Sequence, residues 1–156
     1  PVEIMHFAAN VASNVEMKVR GANIHFETSF PDALIEMEID ADLMRTALYN
    51  IIDNAIEACI QSTAPIDHRI IFNVQADAEA VTFLIADTGE GMSPKKVGSI
   101  FDLFSSTKGR GGTGLGLYVT RKIIEKHGGT ISVHSQPEKG SRFEIVLPRK
   151  KIKLNA

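Results

Sequence analysis

The sequence contains only one cysteine, Cys59, so no disulfide can form within the chain. A single thiol suits a reducing compartment. The net charge of −2 provides no broad basic field, which argues against binding to nucleic acid or to an anionic membrane. No apolar run approaches the roughly 20 residues that span a bilayer, and no signal-peptide pattern opens the chain.

Internal repeats and low-complexity segments are missing as well. Hydrophobic residues make up 44% of the 156 residues and charged residues 23%, a composition typical of one folded domain with a core. The chain begins at Pro1 rather than at a methionine, which indicates an excised fragment. We therefore expect a cytoplasmic domain, whose parent protein could still be anchored in a membrane.

Hydrophobic periodicity predicts three helices and about six strands. The predicted helices cover about 4–21, 40 or 42 to about 62, and about 114–127; the predicted strands cover 22–29, 35–39, 69–75, 80–86, 130–135 and 142–147. This order lacks strict βαβ alternation, so it predicts an α+β two-layer sandwich. In that fold, three helices cover one face of a mixed sheet of five or six strands. The predicted domain ends at residue 148, before a basic tail at 149–156.

A polar stripe follows one face of the second predicted helix. Its residues Asn50, Asn54, Glu57 and Gln61 stand at spacings i, i+4, i+7 and i+11. Asparagine is a poor residue for a helix interior, so two of them one turn apart are unusual. Their amide oxygens would suit Mg²⁺, whereas an ordinary solvated face would explain the same pattern without any ligand.

Two glycine-containing segments lie at the beginning and at the end of the long loop predicted at residues 87–113. The first, Asp-Thr-Gly-Glu-Gly at 87–91, follows an apolar strand, and Asp87 could accept a hydrogen bond from an exocyclic amine such as that of adenine. An ordinary Asp-Thr-Gly turn remains an open alternative. The second, at 109–116, precedes the last helix, where exposed backbone N–H groups suit phosphate oxygens. Its match to the dinucleotide fingerprint G-x-G-x-x-G is interpreted as accidental, because no core strand precedes it.

In this order and spacing, the stripe and the two segments resemble the asparagine box and the two glycine boxes of one ATPase superfamily. The resemblance is to the histidine-kinase branch of the gyrase, heat-shock chaperone and mismatch-repair ATPases. Ile-Phe-Asp-Leu-Phe at 100–104 resembles the phenylalanine box, and 54–58 and 106–108 are most similar to the nitrogen-regulation type of sensor kinase. The resemblance covers about residues 1–148 and implies a Bergerat-type ATP-binding fold with an ATP lid at about 93–113.

The resemblance implies that the chain binds ATP and Mg²⁺. Asn54 would coordinate the metal, with Asn50 near the phosphates. Asp87 would hold the adenine amine in a pocket shaped by Gly89 and Gly91. The other implied nucleotide-binding residues are Glu57, Thr107, Lys108, Gly112, Thr113, Gly114, Leu115 and Gly116.

Lys108 and Arg110 are the candidates for contacts to the γ-phosphate, because phosphoryl transfer depends on positioning and charge neutralisation. Solvated lid charges are the alternative interpretation of both. Together with Asn50 they form the predicted catalytic set. Phe101 and Phe104 are expected to be hydrophobic anchors for the lid or for another domain.

The residue at position 50 distinguishes branches of the superfamily that the chain resembles. The hydrolysing ATPases and the anti-sigma-factor serine kinases place there a glutamate that serves as general base. A neutral imidazole already offers a lone pair and needs no such base. Asn50 therefore favours transfer of the γ-phosphoryl of ATP to a histidine.

The implied function is that of a protein-histidine kinase catalytic domain. None of the five histidines has the phosphoacceptor context, which is an acidic residue directly after the histidine and a proline further on. The acceptor is therefore expected on a dimerisation domain outside this chain, with onward transfer to an aspartate in a response-regulator receiver domain. We expect this chain to be a monomer and its parent a homodimer. An ATPase clamp and a non-catalytic nucleotide-binding regulator remain as alternatives.

Overall fold

The computed structural model describes residues 1–103 and 116–149. In chain order the elements are β1 (Val2–Glu3), α1 (Ile4–Gly21), β2 (His25–Ser29), β3 (Glu36–Met37), α2 (Ala41–Gln61), β4 (Arg69–Ala76), β5 (Ala80–Asp87), α3 (Pro94–Ser99), α4 (Gly116–Lys126), β6 (Thr130–Ser135) and β7 (Ser141–Pro148). Within these two ranges, no helix has the length and apolar character needed to cross a membrane.

Five strands form one mixed sheet in the order β2-β4-β5-β7-β6. β2 runs parallel to β4, and the other neighbours are antiparallel. β5 is the central strand, and its residues Val81, Phe83, Ile85 and Asp87 are all buried on one face. Because side chains alternate along a strand, Asp87 points to the same face as the apolar core. β5 is thus an interior strand, paired on both sides.

Helices α1, α2 and α4 cover that face of the sheet, and their buried residues form one core cluster with the strands. The predicted two-layer α+β fold, with three helices on a mixed sheet, is confirmed. At the surface, α1 and α2 are joined by two contacts one helical turn apart. Asn14 Nδ2 donates to the Tyr49 hydroxyl at 3.0 Å, and Lys18 Nζ lies 2.6 Å from Asp53 Oδ1.

The predicted polar stripe lies on helix α2. Asp40 caps its N-terminus, where the carboxylate accepts from the Leu43 N–H at 3.0 Å. Asp42, the other predicted cap, forms an ion pair with Arg45 at 2.8 Å instead. At 1.5 Å per residue, the 21-residue helix is roughly 30 Å long, and Asn50 lies near its middle.

Three short elements differ from the sequence-based expectations. The strand predicted at 22–29 begins only at His25, because Asn23 adopts a left-handed backbone with φ of 59° and forms a turn. The strand predicted at 35–39 shrinks to β3, which pairs with β1 rather than with the main sheet. The loop predicted at 87–113 contains a six-residue helix, α3, which is capped by Ser93. The predicted lid and tail lie partly outside the described residues.

Candidate functional site

The side chain of Asn50 connects α2 to the start of α4. Its Nδ2 donates to the Gly116 carbonyl and to Thr120 Oγ1, both at 3.2 Å. Thr120 is fully buried, and its hydroxyl donates to the same Gly116 carbonyl at 2.8 Å. Because both contacts use the amide nitrogen, Oδ1 of Asn50 remains an acceptor. The structure thus brings Asn50 and Gly116 together.

Asn54 lies one helical turn beyond Asn50 and is half-buried. In the part of the chain that the structure describes, its side chain makes no hydrogen bond. A half-buried amide normally has a partner, so this one keeps its capacity to bind an external group. Glu57 is also half-buried on the same stripe, and its Oε1 accepts from Gln61 Nε2 at 3.2 Å. Amide and carboxylate oxygens are the ligand types that Mg²⁺ prefers, so these residues fit that ion.

Asp87 ends the central strand with its carboxylate inside the protein. The residue is 8% exposed, and its Oδ1 accepts from the Gly89 N–H at 2.8 Å. Burial raises the pKa of Asp87 to about 6, while hydrogen bonds from the backbone N–H groups of Gly89 and Ser141, and the nearby His68, act in the opposite direction. At neutral pH the carboxylate is therefore mostly ionised, and it can accept a hydrogen bond from a ligand.

The turn after Asp87 lies directly on α2. The N–H of Glu90 donates to the Ala58 carbonyl at 3.0 Å, and a Cβ placed on Gly89 would stand 2.5 Å from the Ala58 carbonyl carbon. Only glycine permits this approach. At Gly91 the backbone is left-handed, with φ of 68°, so glycine is favoured there as well. Glycine is therefore required at position 89 and favoured at position 91, which agrees with a pocket whose wall is formed by backbone.

Along α2 the candidate residues have a clear order. Asn50 comes first and contacts Gly116. Asn54 follows one turn later, and Ala58, which contacts Gly89, follows one turn after Asn54. With 1.5 Å of rise per residue, Asn50 and Ala58 are roughly 12 Å apart along the helix axis. The first glycine segment and the start of α4 thus approach α2 two turns apart, on either side of Asn54.

Most of the second glycine segment lies outside the described residues. The predicted site residues Thr107, Lys108, Arg110, Gly112, Thr113, Gly114 and Leu115 lie outside the described residues, as does Phe104. Their roles stay predictions. Phe101 is described: its ring packs edge-on against Phe143 with centroids 6.3 Å apart, and the Arg121 guanidinium lies 6.0 Å from it. The anchoring role predicted for Phe101 agrees with these contacts.

Two buried polar residues that support the candidate site were not predicted from the sequence. Thr120 and Ser141 are buried, and Ser141 Oγ lies 2.8 Å from Ser135 Oγ. The i, i+4 spacing of Gly116 and Thr120 was the one available signal for the first. Cys59 is a core residue and is 3% exposed. Burial, with the nearby Asp87 carboxylate, raises the pKa of its thiol to about 11.

Residues 39–151 match the sequence model of one family, described as histidine kinase-, DNA gyrase B-, and HSP90-like ATPase. Among curated proteins, the sensor protein SrrB of Staphylococcus aureus (strain NCTC 8325 / PS 47) is 40% identical over 115 residues. This match covers 70% of the chain, and the chain spans 19% of the length of that relative.

Solved structures of similar shape include two histidine kinases. The catalytic domain of histidine kinase ThkA is 27% identical with a TM-score of 0.81, and the match covers 96% of each chain. The mycobacterial sensor histidine kinase MprB is 25% identical with a TM-score of 0.75, covering 97% of each. Full-length ShkA in complex with AMPPNP, at 24% identity and a TM-score of 0.82, shares the fold over 97% of this chain and 31% of its own.

Proposed function

Because this chain belongs to the family of histidine kinase-, DNA gyrase B- and HSP90-like ATPases, and is the ATP-binding catalytic domain of a sensor histidine kinase, we propose that it transfers the γ-phosphoryl of Mg²⁺–ATP to a histidine. The acceptor histidine would lie on a dimerisation domain outside this chain. The phosphoryl group would then pass to an aspartate in the receiver domain of a response regulator. The site would work in the cytoplasm, where ATP is available.

The observation that carries this proposal is the order of groups along α2. We assign the adenine base to the part of α2 near Ala58, where the Asp87 carboxylate and the Gly89 backbone meet the helix. We assign the phosphates to the part of α2 where Asn50 contacts Gly116. Asp87 would accept the adenine amine. The start of α4 would offer backbone N–H groups and the positive end of its dipole to phosphate oxygens. Gly91 would keep the pocket wall free of a side chain.

Asn54 is the proposed metal ligand, with Glu57 one turn away as a further oxygen donor near it. These oxygens would hold Mg²⁺, which when bound would supply positive charge to offset that of the phosphates. Lys108 and Arg110 would add positive charge at the γ-phosphate, and Thr107, Gly112, Thr113, Gly114 and Leu115 would enclose the phosphates within a lid at about 93–113.

The identity and fixation of Asn50 support transfer to histidine over hydrolysis. Its amide nitrogen is committed to Gly116 and Thr120, and an amide takes up no proton near neutral pH. Asn50 therefore cannot activate water as a general base. A histidine acceptor brings its own lone pair, so a site that only positions the nucleotide is sufficient for it.

The direct test is calorimetric titration of ATP into the protein with and without Mg²⁺. We expect Mg²⁺-dependent binding in the wild type and weaker Mg²⁺-dependent binding in Asn54→Asp, with the far-UV and near-UV dichroism unchanged. Equal binding by both proteins would refute the assignment of Asn54.

A second measurement separates phosphotransfer from its alternatives. The protein is incubated with labelled ATP, alone and with a separately produced dimerisation domain of a sensor kinase. Acid-labile, base-stable label on the added domain is the expected result, without stable label on the protein itself. Rapid ATP hydrolysis by the protein alone would favour a clamp ATPase, and nucleotide binding without any transfer would favour a regulatory role.

A further inference from the structure

His68, the residue before β4, contacts the turn that follows Asp87. Its Nδ1 lies 3.0 Å from Thr88 Oγ1 and 3.1 Å from the Thr88 carbonyl oxygen. A carbonyl oxygen can only accept, so the second contact requires a proton on Nδ1. The half-buried imidazole therefore donates to the residue that joins Asp87 to Gly89.

Thr88 is held from several sides. Its Oγ1 accepts from the Arg69 N–H at 2.9 Å, and its own N–H donates to the Arg69 carbonyl at 3.2 Å. Its hydroxyl also contacts the thiol of Cys59 on α2. These contacts fix the peptide that follows Asp87, and with it the Gly89 N–H that binds the carboxylate.

The groups around the Asp87 carboxylate differ in their effect on its charge. Cys59, from α2, is neutral because its thiol pKa is raised to about 11. Glu90, on the turn, disfavours a second negative charge, whereas the Ser141 N–H from β7 favours it. Within residues 1–103 and 116–149, His68 is the group facing this carboxylate that can carry a positive charge, and it favours the ionised form.

We propose that His68 is a positioning residue for Asp87: through its contacts with Thr88 it fixes the turn that orients the carboxylate, and it favours the ionised form of that carboxylate over the neutral one. This inference depends on the proposed function only for its consequence, which is that His68 extends adenine binding to lower pH. A protonated Asp87 would lose acceptor capacity toward the exocyclic amine of adenine.

The first test uses the nucleotide-free protein. The carboxyl ¹³C shift of Asp87, assigned with Asp87→Asn, is followed from pH 4 to 8. We expect the titration midpoint to move upward in His68→Ala and to stay in place in the control His6→Ala, which removes an exposed histidine on α1. Thr88→Val, which removes the hydroxyl, should also raise the midpoint, and Thr88→Ser should restore it. An unchanged midpoint in His68→Ala would overturn the proposal.

The second test measures the affinity for ADP at pH 8 and pH 5.5. A carboxyl group with a pKa of about 6 is about one quarter ionised at pH 5.5. Between pH 8 and pH 5.5, the affinity of the wild type for ADP should therefore fall about fourfold more than the affinity of Asp87→Asn does. His68→Ala should lose more than the wild type. Equal losses in both proteins would contradict the role of His68. If no protein binds ADP while the midpoint still moves, the proposed function fails and the electrostatic role of His68 stands.

Discussion

Replacement of Gly89 by alanine tests whether the turn after Asp87 must lie against α2. The new Cβ would stand 2.5 Å from the Ala58 carbonyl carbon and 2.7 Å from its Cβ and oxygen. Favourable carbon–carbon contacts are about 3.5–4.0 Å, so the turn and the helix would have to separate by roughly 1 Å. The opposing atoms are mostly helix backbone, which cannot rotate away as a side chain would.

The strain can be relieved in two ways, and both are measurable. If the native contact is kept, overpacking should lower the free energy of unfolding by about 1–3 kcal/mol. For a domain of this size, that corresponds to a fall in Tm of roughly 2–12 °C. If the turn moves instead, the Asp87 carboxylate moves away from the bound adenine. A lost hydrogen bond to a charged group costs about 1.5–3 kcal/mol, so nucleotide affinity should fall by about tenfold or more.

Gly98→Ala is the matched control. Gly98 lies within α3, and a Cβ there would meet nothing within 4 Å. Alanine has the higher helix propensity, so this variant should be neutral or slightly more stable and should bind nucleotide normally. Thermal unfolding and calorimetry are run on all three proteins. A Gly89→Ala protein with wild-type stability and wild-type affinity would refute the close-approach argument.

Three further predictions concern the buried polar groups. Because burial raises the pKa of Asp87 above its value in the unfolded chain, the folded protein binds this proton more tightly, and its stability should fall as pH rises from about 4 to 6. Urea denaturation should show a decline of up to about 3 kcal/mol in the free energy of unfolding, and Asp87→Asn should remove that decline. Thr120→Val should cost about 1–3 kcal/mol and weaken nucleotide binding because Asn50 loses a partner, whereas Thr120→Ser should restore both, as calorimetry and thermal unfolding will report. Cys59 should resist alkylation at pH 8 until the protein is denatured, and rapid labelling of the native protein would contradict its burial.

The parts of the site that could be predicted from sequence are those where the chemistry allows few residue types. Gly89 and Gly91 stand where a side chain would collide or where the backbone is left-handed. Asn50 and Asn54 could be selected as candidates because asparagine is an unfavourable residue inside a helix. Asp87 was visible because it follows an apolar strand. In each case a local pattern contained the information.

The parts that could not be predicted depend on contacts between distant segments. The contact of Asn50 with Thr120 joins residues 70 positions apart and arises only from the packing of α2 against α4. The short strands β1 and β3 have two residues each, too few for a period to be recognised. His68 and Thr88 meet because β4 and β5 pair in one register, which the sequence pattern did not fix.

The buried polar residues include one that costs the folded protein stability. Within residues 1–103 and 116–149, three polar side chains are buried, namely Asp87, Thr120 and Ser141. The first lies in the candidate base pocket, the second orients Asn50, and the third donates its N–H to the first. A buried carboxylate with a raised pKa destabilises the folded protein at neutral pH, so packing alone would favour an apolar residue at position 87. Its presence is explained if a ligand supplies the missing hydrogen bond, and the apo protein should therefore gain more stability from nucleotide than the Asp87→Asn variant does.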